Sequence, residues 1–131
     1  MLTSCSDFHI FQKLKFKSRQ ECIDAYCEVV AAAFEAGIRP RCHLEDLTRA
    51  DIDGFVLPFV DRLMKMSEQV PEELSVKIRL CDTMGFGISY PGAELPRSIP
   101  KLIYKLNQEC GVPGSRLEWH GHYDFHKVHV N

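Results

Sequence analysis

Four short apolar stretches recur along this chain at nearly even intervals, each separated from the next by a helical pattern. LTSCS, IRPRCHL, SVKIRLCD and LEWHGH read as strands centred near Cys5, Cys42, Leu80 and Trp119, about 37 to 39 residues apart. The first helix opens at Ser18 with Glu21 as its capping-box partner and stops at Gly37, its stripe being Cys22, Tyr26, Val29, Val30, Ala33 and Phe34. The second spans roughly 53–69, with Phe55, Phe59, Val60, Leu63 and Met64 on one side and Pro58 near its first turn. The third spans about 98–110, with Leu102, Ile103 and Leu106 as its stripe and Gly111 as its stop. The order β-α-β-α-β-α-β predicts parallel strands joined by right-handed crossovers. The near-constant period suits a (β/α) barrel, whose unit averages ~30 residues. A doubly wound open sheet is the competitor, but no G-x-G-x-x-G follows a strand, and Gly85 with Gly87 supplies only G-x-G.

Composition narrows the functional classes. Of 131 residues, 45% are apolar and 26% charged, ordinary for one globular domain. The net charge of -2 and the absence of a basic stripe argue against nucleic acid as a partner. The three lysines of FQKLKFK read as a solvated loop or helix start. No apolar run reaches the ~18 residues of a membrane span, and no signal-peptide core is visible. Six scattered cysteines without a C-x-x-C pair suit reduced thiols, so a cytoplasmic protein is expected.

Alternation within the strands carries the chemistry. Residues two apart in a strand share a face, ~6.5 Å from each other. Arg41, His43 and Glu45 therefore fall together, as do Arg79, Cys81 and Thr83, and as do Glu118, His120 and His122. The apolar alternates Val76, Ile78 and Leu80 are expected against the helices. The polar sets are expected inside the barrel, toward the strands' C-terminal ends, where barrel enzymes keep their chemistry. An H-x-H pair on a strand sends both imidazoles the same way, close enough to share one metal ion. His126 and His129 follow, and they read either as exposed positions of a later helix or as members of a zinc cluster built from HGHYDFHKVH.

Taken together, LTSCSDFHI, RPRCHLEDLTRAD, KIRLCDTMGFG and HGHYDFHKVHVN resemble the 2-isopropylmalate synthase/homocitrate synthase family, nearest its homocitrate and Re-type citrate synthase branch. These are metal-dependent barrels that condense acetyl-CoA with a 2-oxo acid. The resemblance implies a divalent cation (Mg, Mn, Zn or Co) held by His120 and His122. It assigns the far carboxylate of the oxo acid to Arg41, the near carboxylate to the Thr83 hydroxyl, and a place beside the substrate to His9. Glu45 matches an acidic residue of the metal and substrate shell and takes the catalytic assignment. Tyr123 stands where the family usually has asparagine and cannot copy an amide's hydrogen bonds. His126 replaces a small residue common in isopropylmalate synthases. Asn131 matches a different position from the asparagine ligand that follows the sixth strand of the family.

The implied reaction is a Claisen-type condensation driven by thioester hydrolysis, with acetyl-CoA and a 2-oxo acid as partners and a homodimer expected of the complete protein. An acyl-CoA lyase of the same superfamily and a non-catalytic, His-rich metal-binding module are the other readings. Four strands are half of what a closed barrel of ~250 residues requires. Residues 1–131 are thus expected to be an internal part of a single catalytic barrel, roughly strands 3 to 6. Expressed alone, they are expected to bind metal weakly, to catalyse no condensation and to associate through their open strand edges. Size-exclusion chromatography with a CoA-release assay checks this, and a soluble, active homodimer would refute it.

Overall fold

The computed structural model describes residues 1–122. Three helices, α1 (Arg19–Glu35), α2 (Leu57–Ser67) and α3 (Ile99–Glu109), alternate with three strands, β1 (Arg41–Leu44), β2 (Lys77–Asp82) and β3 (Leu117–Gly121). The strands are parallel and lie in sequence order, Arg41 opposite Lys77, His43 opposite Arg79, Arg79 opposite Glu118, and Cys81 opposite His120. A doubly wound sheet would reverse its strand order somewhere along the chain. This order, together with a helical layer on one face, is that of a barrel wall.

The first expected strand is shorter than its sequence suggests. Leu2 bridges His43 in parallel, and Thr3 N–H and Cys5 N–H donate to the carbonyls of His43 and Glu45 at 2.8 and 2.9 Å. The chain then turns away into a single π-type helical turn, Phe8–Lys13, so the ladder ends there.

The helices start where local chemistry places them. Ser18 accepts from Glu21 N–H at 3.1 Å, and the Glu21 carboxylate reaches back to Lys17 N–H at 2.7 Å. Asp51 caps the turn that precedes α2, and Pro58 sits in the first turn of α2, where its missing N–H costs nothing. Gly37 and Gly111 take positive φ just past α1 and α3, the conformation that ends a helix most cheaply with glycine.

Cys42, Leu44, Ile78 and Leu80 point to the helical side and are fully or almost fully buried. They meet Phe55, Phe59, Val60 and Leu63 around α2, and Leu102 and Leu106 of α3. Tyr26 and Phe55 both pack on Phe59, with ring centroids 5.5 and 5.9 Å away. Each such side chain contributes roughly 1.5–3 kcal/mol when fully buried. The stripe of α1 is rotated from its expected position: Ile23 and Cys27 are buried with Cys22, Tyr26 and Val30, while Val29 is 53% exposed. Packing against α2 centres the buried face on residues 23, 27 and 30, which turns Val29 outward. Ile103 of α3 is likewise exposed, because it borders an open apolar groove with Ile99, Leu117 and Trp119.

The loop after β2 is held by one buried carboxylate. Asp82 accepts from Thr48 Oγ1 at 2.7 Å, Phe86 N–H at 2.9 Å and Gly87 N–H at 2.8 Å. Gly87 is required for this approach, since a Cβ there would lie 2.8 Å from both Asp82 Oδ2 and Ile99 Cδ1. Asp82→Ala would strand these donors and is expected to cost roughly 2–4 kcal/mol in urea denaturation of the intact protein. A loss below about 1 kcal/mol would mean that the loop is braced by something else.

Candidate active site

The polar faces of the strands converge on one cavity of about 280 Å³ at their C-terminal ends, lined by Leu2, His43, Glu45, Arg79, Cys81, Thr83, His120 and His122. The register arranges its walls in layers. His43, Arg79 and Glu118 share one level, Cys81 and His120 the next, with Thr83 and His122 beyond.

His120 and His122 face this space with ring centroids 5.4 Å apart and planes near perpendicular. That separation lets both rings approach a single cation at ordinary imidazole–metal distances of ~2.0–2.1 Å. Two imidazoles on one strand face are donors that suit a divalent ion. Among the described residues no third ligating side chain closes a cluster with them. Tyr123, His126, His129 and Asn131 lie outside the described residues.

Glu45 follows the end of β1. Its Oε2 accepts from Ser4 Oγ and lies 3.2 Å from His9 Nδ1. Oε1 has no hydrogen-bond partner among the described residues and is the atom left for a ligand. His9 is buried behind Glu45 rather than on the cavity wall, and its Nε2 lies 3.9 Å from Asp46 Oδ2. Asp46 takes a left-handed backbone at φ 60 and is gripped by Arg49, whose Nε and Nη2 approach its carboxylate at 2.7–2.9 Å. In this turn Asp46 N–H donates to Thr83 Oγ1 at 2.8 Å. The Thr83 hydroxyl therefore uses a lone pair on the protein and keeps its own hydrogen to donate.

Below this level the cavity has a charged floor. Glu118 accepts from Arg79 Nε and Nη2 at 3.0 and 2.8 Å and pairs with Arg41 Nε at 3.2 Å and Lys77 Nζ at 3.7 Å. The Arg79 hydrogen bonds hold its carboxyl below the usual carboxylate range, helped by the charges of Arg41 and Lys77. Burial, then the charge of Arg79, pushes the His43 pKa down, so this imidazole is neutral at physiological pH. Burial pushes the Cys81 thiol up to about 11, which leaves it protonated and a poor nucleophile.

The structure thus brings Glu45, Thr83, His120 and His122 into one cavity, with His9 behind the first of them. Arg41 is not on the cavity wall: it lies a level lower, at the start of β1, against Glu118. Arg79 and His43 line the cavity without having been given a role from the sequence. Strand alternation put them on this face and was the signal available. Ser4, Asp46 and Arg49 had no such signal, because their parts depend on contacts between separate loops.

No family model matches the chain. It is 53% identical over all 131 residues to the citrate (Re)-synthases of Clostridium kluyveri and Syntrophus aciditrophicus. Over the same length it is 41% identical to the 2-phosphinomethylmalate synthase of Streptomyces hygroscopicus. The chain spans 28%, 20% and 29% of these three relatives. In structure it superimposes on hydroxymethylglutaryl-CoA lyase from Pseudomonas aeruginosa with a TM-score of 0.65 at 21% identity, covering 98% of this chain and 39% of that one. At that identity the likeness speaks for the fold alone, an α/β fold forming part of a (β/α)8 barrel. With the expected motifs in place, the chain is similar along its whole length to synthases of the 2-isopropylmalate synthase/homocitrate synthase family.

Proposed function

We propose that the protein carrying this chain is an acyltransferase that condenses acetyl-CoA with a 2-oxo acid, and that residues 1–131 form roughly strands 3 to 6 of its catalytic barrel. One observation carries the reading: Glu45, Thr83, His120 and His122, from three separate strand ends, line the same cavity. The names of the relatives support the reaction class, since citrate less an acetyl unit is oxaloacetate, a 2-oxo acid.

Each residue has a task that its surroundings fit. The Thr83 hydroxyl, fixed through Asp46 N–H, donates to the carboxylate next to the ketone. Glu45 offers Oε1 to the reacting atoms and can hold a proton there, while Ser4 and His9 fix Oε2. His9 orients that carboxylate from behind. A divalent cation (Mg, Mn, Zn or Co) held by His120 and His122 would polarise the ketone as a Lewis acid. Arg41, Lys77 and Arg79 make the floor attractive to an acidic substrate.

The test is a CoA-release assay on the intact enzyme with oxaloacetate, 2-oxoglutarate and 2-oxoisovalerate, alongside metal analysis. His120→Ala and His122→Ala are each expected to lower metal content and to reduce turnover by roughly 100-fold or more, beyond what loss of a supporting contact costs. Undiminished metal and turnover in both variants would remove the ligand assignment. Clear preference for 2-oxoisovalerate would return the protein to an isopropylmalate-type synthase.

A further inference from the structure

Glu45 and Asp46 are consecutive in the chain, and their carboxylates face opposite nitrogens of one imidazole. Glu45 Oε2 lies 3.2 Å from His9 Nδ1, and Asp46 Oδ2 lies 3.9 Å from His9 Nε2. Glu45 looks into the cavity, whereas Asp46 and His9 are buried behind it. Asp46 has a second contact through its backbone. Its left-handed conformation turns the N–H toward the next strand end, where it donates to Thr83 Oγ1 at 2.8 Å.

The turn alone does not account for the charge at position 46. Asparagine takes the left-handed region as readily as aspartate. A fully buried carboxylate is costly unless cations and donors meet it. Arg49 meets it from the surface: Nε lies 2.9 Å from both carboxylate oxygens and Nη2 lies 2.7 Å from Oδ2. The Arg49 guanidinium carbon also lies 5.8 Å from the ring centroid of Phe8, the neighbour of His9. Arg49 on Phe8 and Asp46 on His9 therefore clamp the turn after β1 against the helical turn that carries the imidazole.

We propose that Asp46, clamped by Arg49, is a positioning residue with two separable arms. Its carboxylate keeps the His9 ring against Glu45, and its amide keeps the Thr83 hydroxyl aimed at the substrate carboxylate. This rests on the condensation reading above and adds to it residues that touch neither substrate nor reacting atoms. The carboxylate arm bears on the chemical step, because His9 orients the acid that handles the proton. The amide arm bears on binding, because Thr83 holds the oxo acid in the ground state and the transition state alike.

The experiment measures kcat, KM and calorimetric affinity on the intact enzyme, using the oxo acid that the comparison above selects. The variants are Asp46→Asn, Arg49→Met, Arg49→Lys, and His9→Gln alone and combined with Asp46→Asn or Arg49→Lys. Asp46→Asn retains the turn and its amide, so kcat is expected to fall roughly 10- to 100-fold while KM and affinity stay within about threefold. Arg49→Met releases the turn, so kcat and affinity are both expected to fall by roughly tenfold or more. Arg49→Lys keeps the charge without the fork and is expected to restore part of both. In the His9→Gln background, Asp46→Asn is expected to cost no more than about twofold further in kcat, because its carboxylate acts through the ring. A merely structural carboxylate would instead give additive losses. Such additivity, wild-type kcat in Asp46→Asn, or affinity that falls with kcat in that variant would overturn the assignment. If Asp46→Asn does not fold, additivity of the kcat losses of Arg49→Lys and His9→Gln decides the matter in its place. A wild-type enzyme that condenses no oxo acid would refute the reaction instead. Oxaloacetate binding unchanged in Arg49→Met would then still remove the amide arm.

Discussion

Everything in this structure depends on the register of its parallel ladder. Side chains alternate between two faces that could hardly differ more in character. Cys42, Leu44, Ile78 and Leu80 go to the helices, while His43, Arg79, Glu118 and His120 go to the other side. A slip of one residue in any strand would exchange the two sets. Cations and imidazoles would then be driven into a hydrocarbon layer at a cost of several kcal/mol each. The chemistry and the hydrophobic core are therefore specified by the same pairing.

The loops that follow the strands convert this layered wall into a site. Asp46, in its left-handed turn after β1, hands its N–H to Thr83 after β2, so two strand ends are tied at the level where a ligand would sit. Asp82 performs the matching task beneath, gathering Thr48, Phe86 and Gly87. Both carboxylates are fully buried, and both are satisfied by several donors. Such groups stabilise by orienting backbone rather than by net attraction.

The charged floor and the histidine level are separated by the pleat of the strands. Glu118 collects the cations of the lower level, so Glu45 a step above is free to engage Ser4 and His9. Without that separation, Arg79 and Glu45 would compete for one another across a small cavity. The outer edge of β3 has no strand partner among the described residues, and the groove beside it is apolar. In a closed barrel such a groove is covered by the following helix.

The sequence by itself determined the helices, the parallel order and the polarity of each strand face. Those properties come from spacing along one segment: Ser18 with Glu21, Phe55 with Phe59 and Leu63, and Glu118 with His120 and His122. Tertiary structure decided which of the aligned groups meet. Arg41 and Arg79 are equivalent as sequence, two basic residues on polar strand faces, yet only Arg79 reaches the cavity, because the pairing sets Arg41 a level lower. His9 reads as a residue beside the substrate, yet it is buried behind Glu45, because the chain turns helical after Cys5. Val29 reads as core and is exposed, because α2 meets α1 along a neighbouring stripe. Each of these outcomes depends on a contact between residues far apart in the chain, and only the folded packing of the segments brings such residues together.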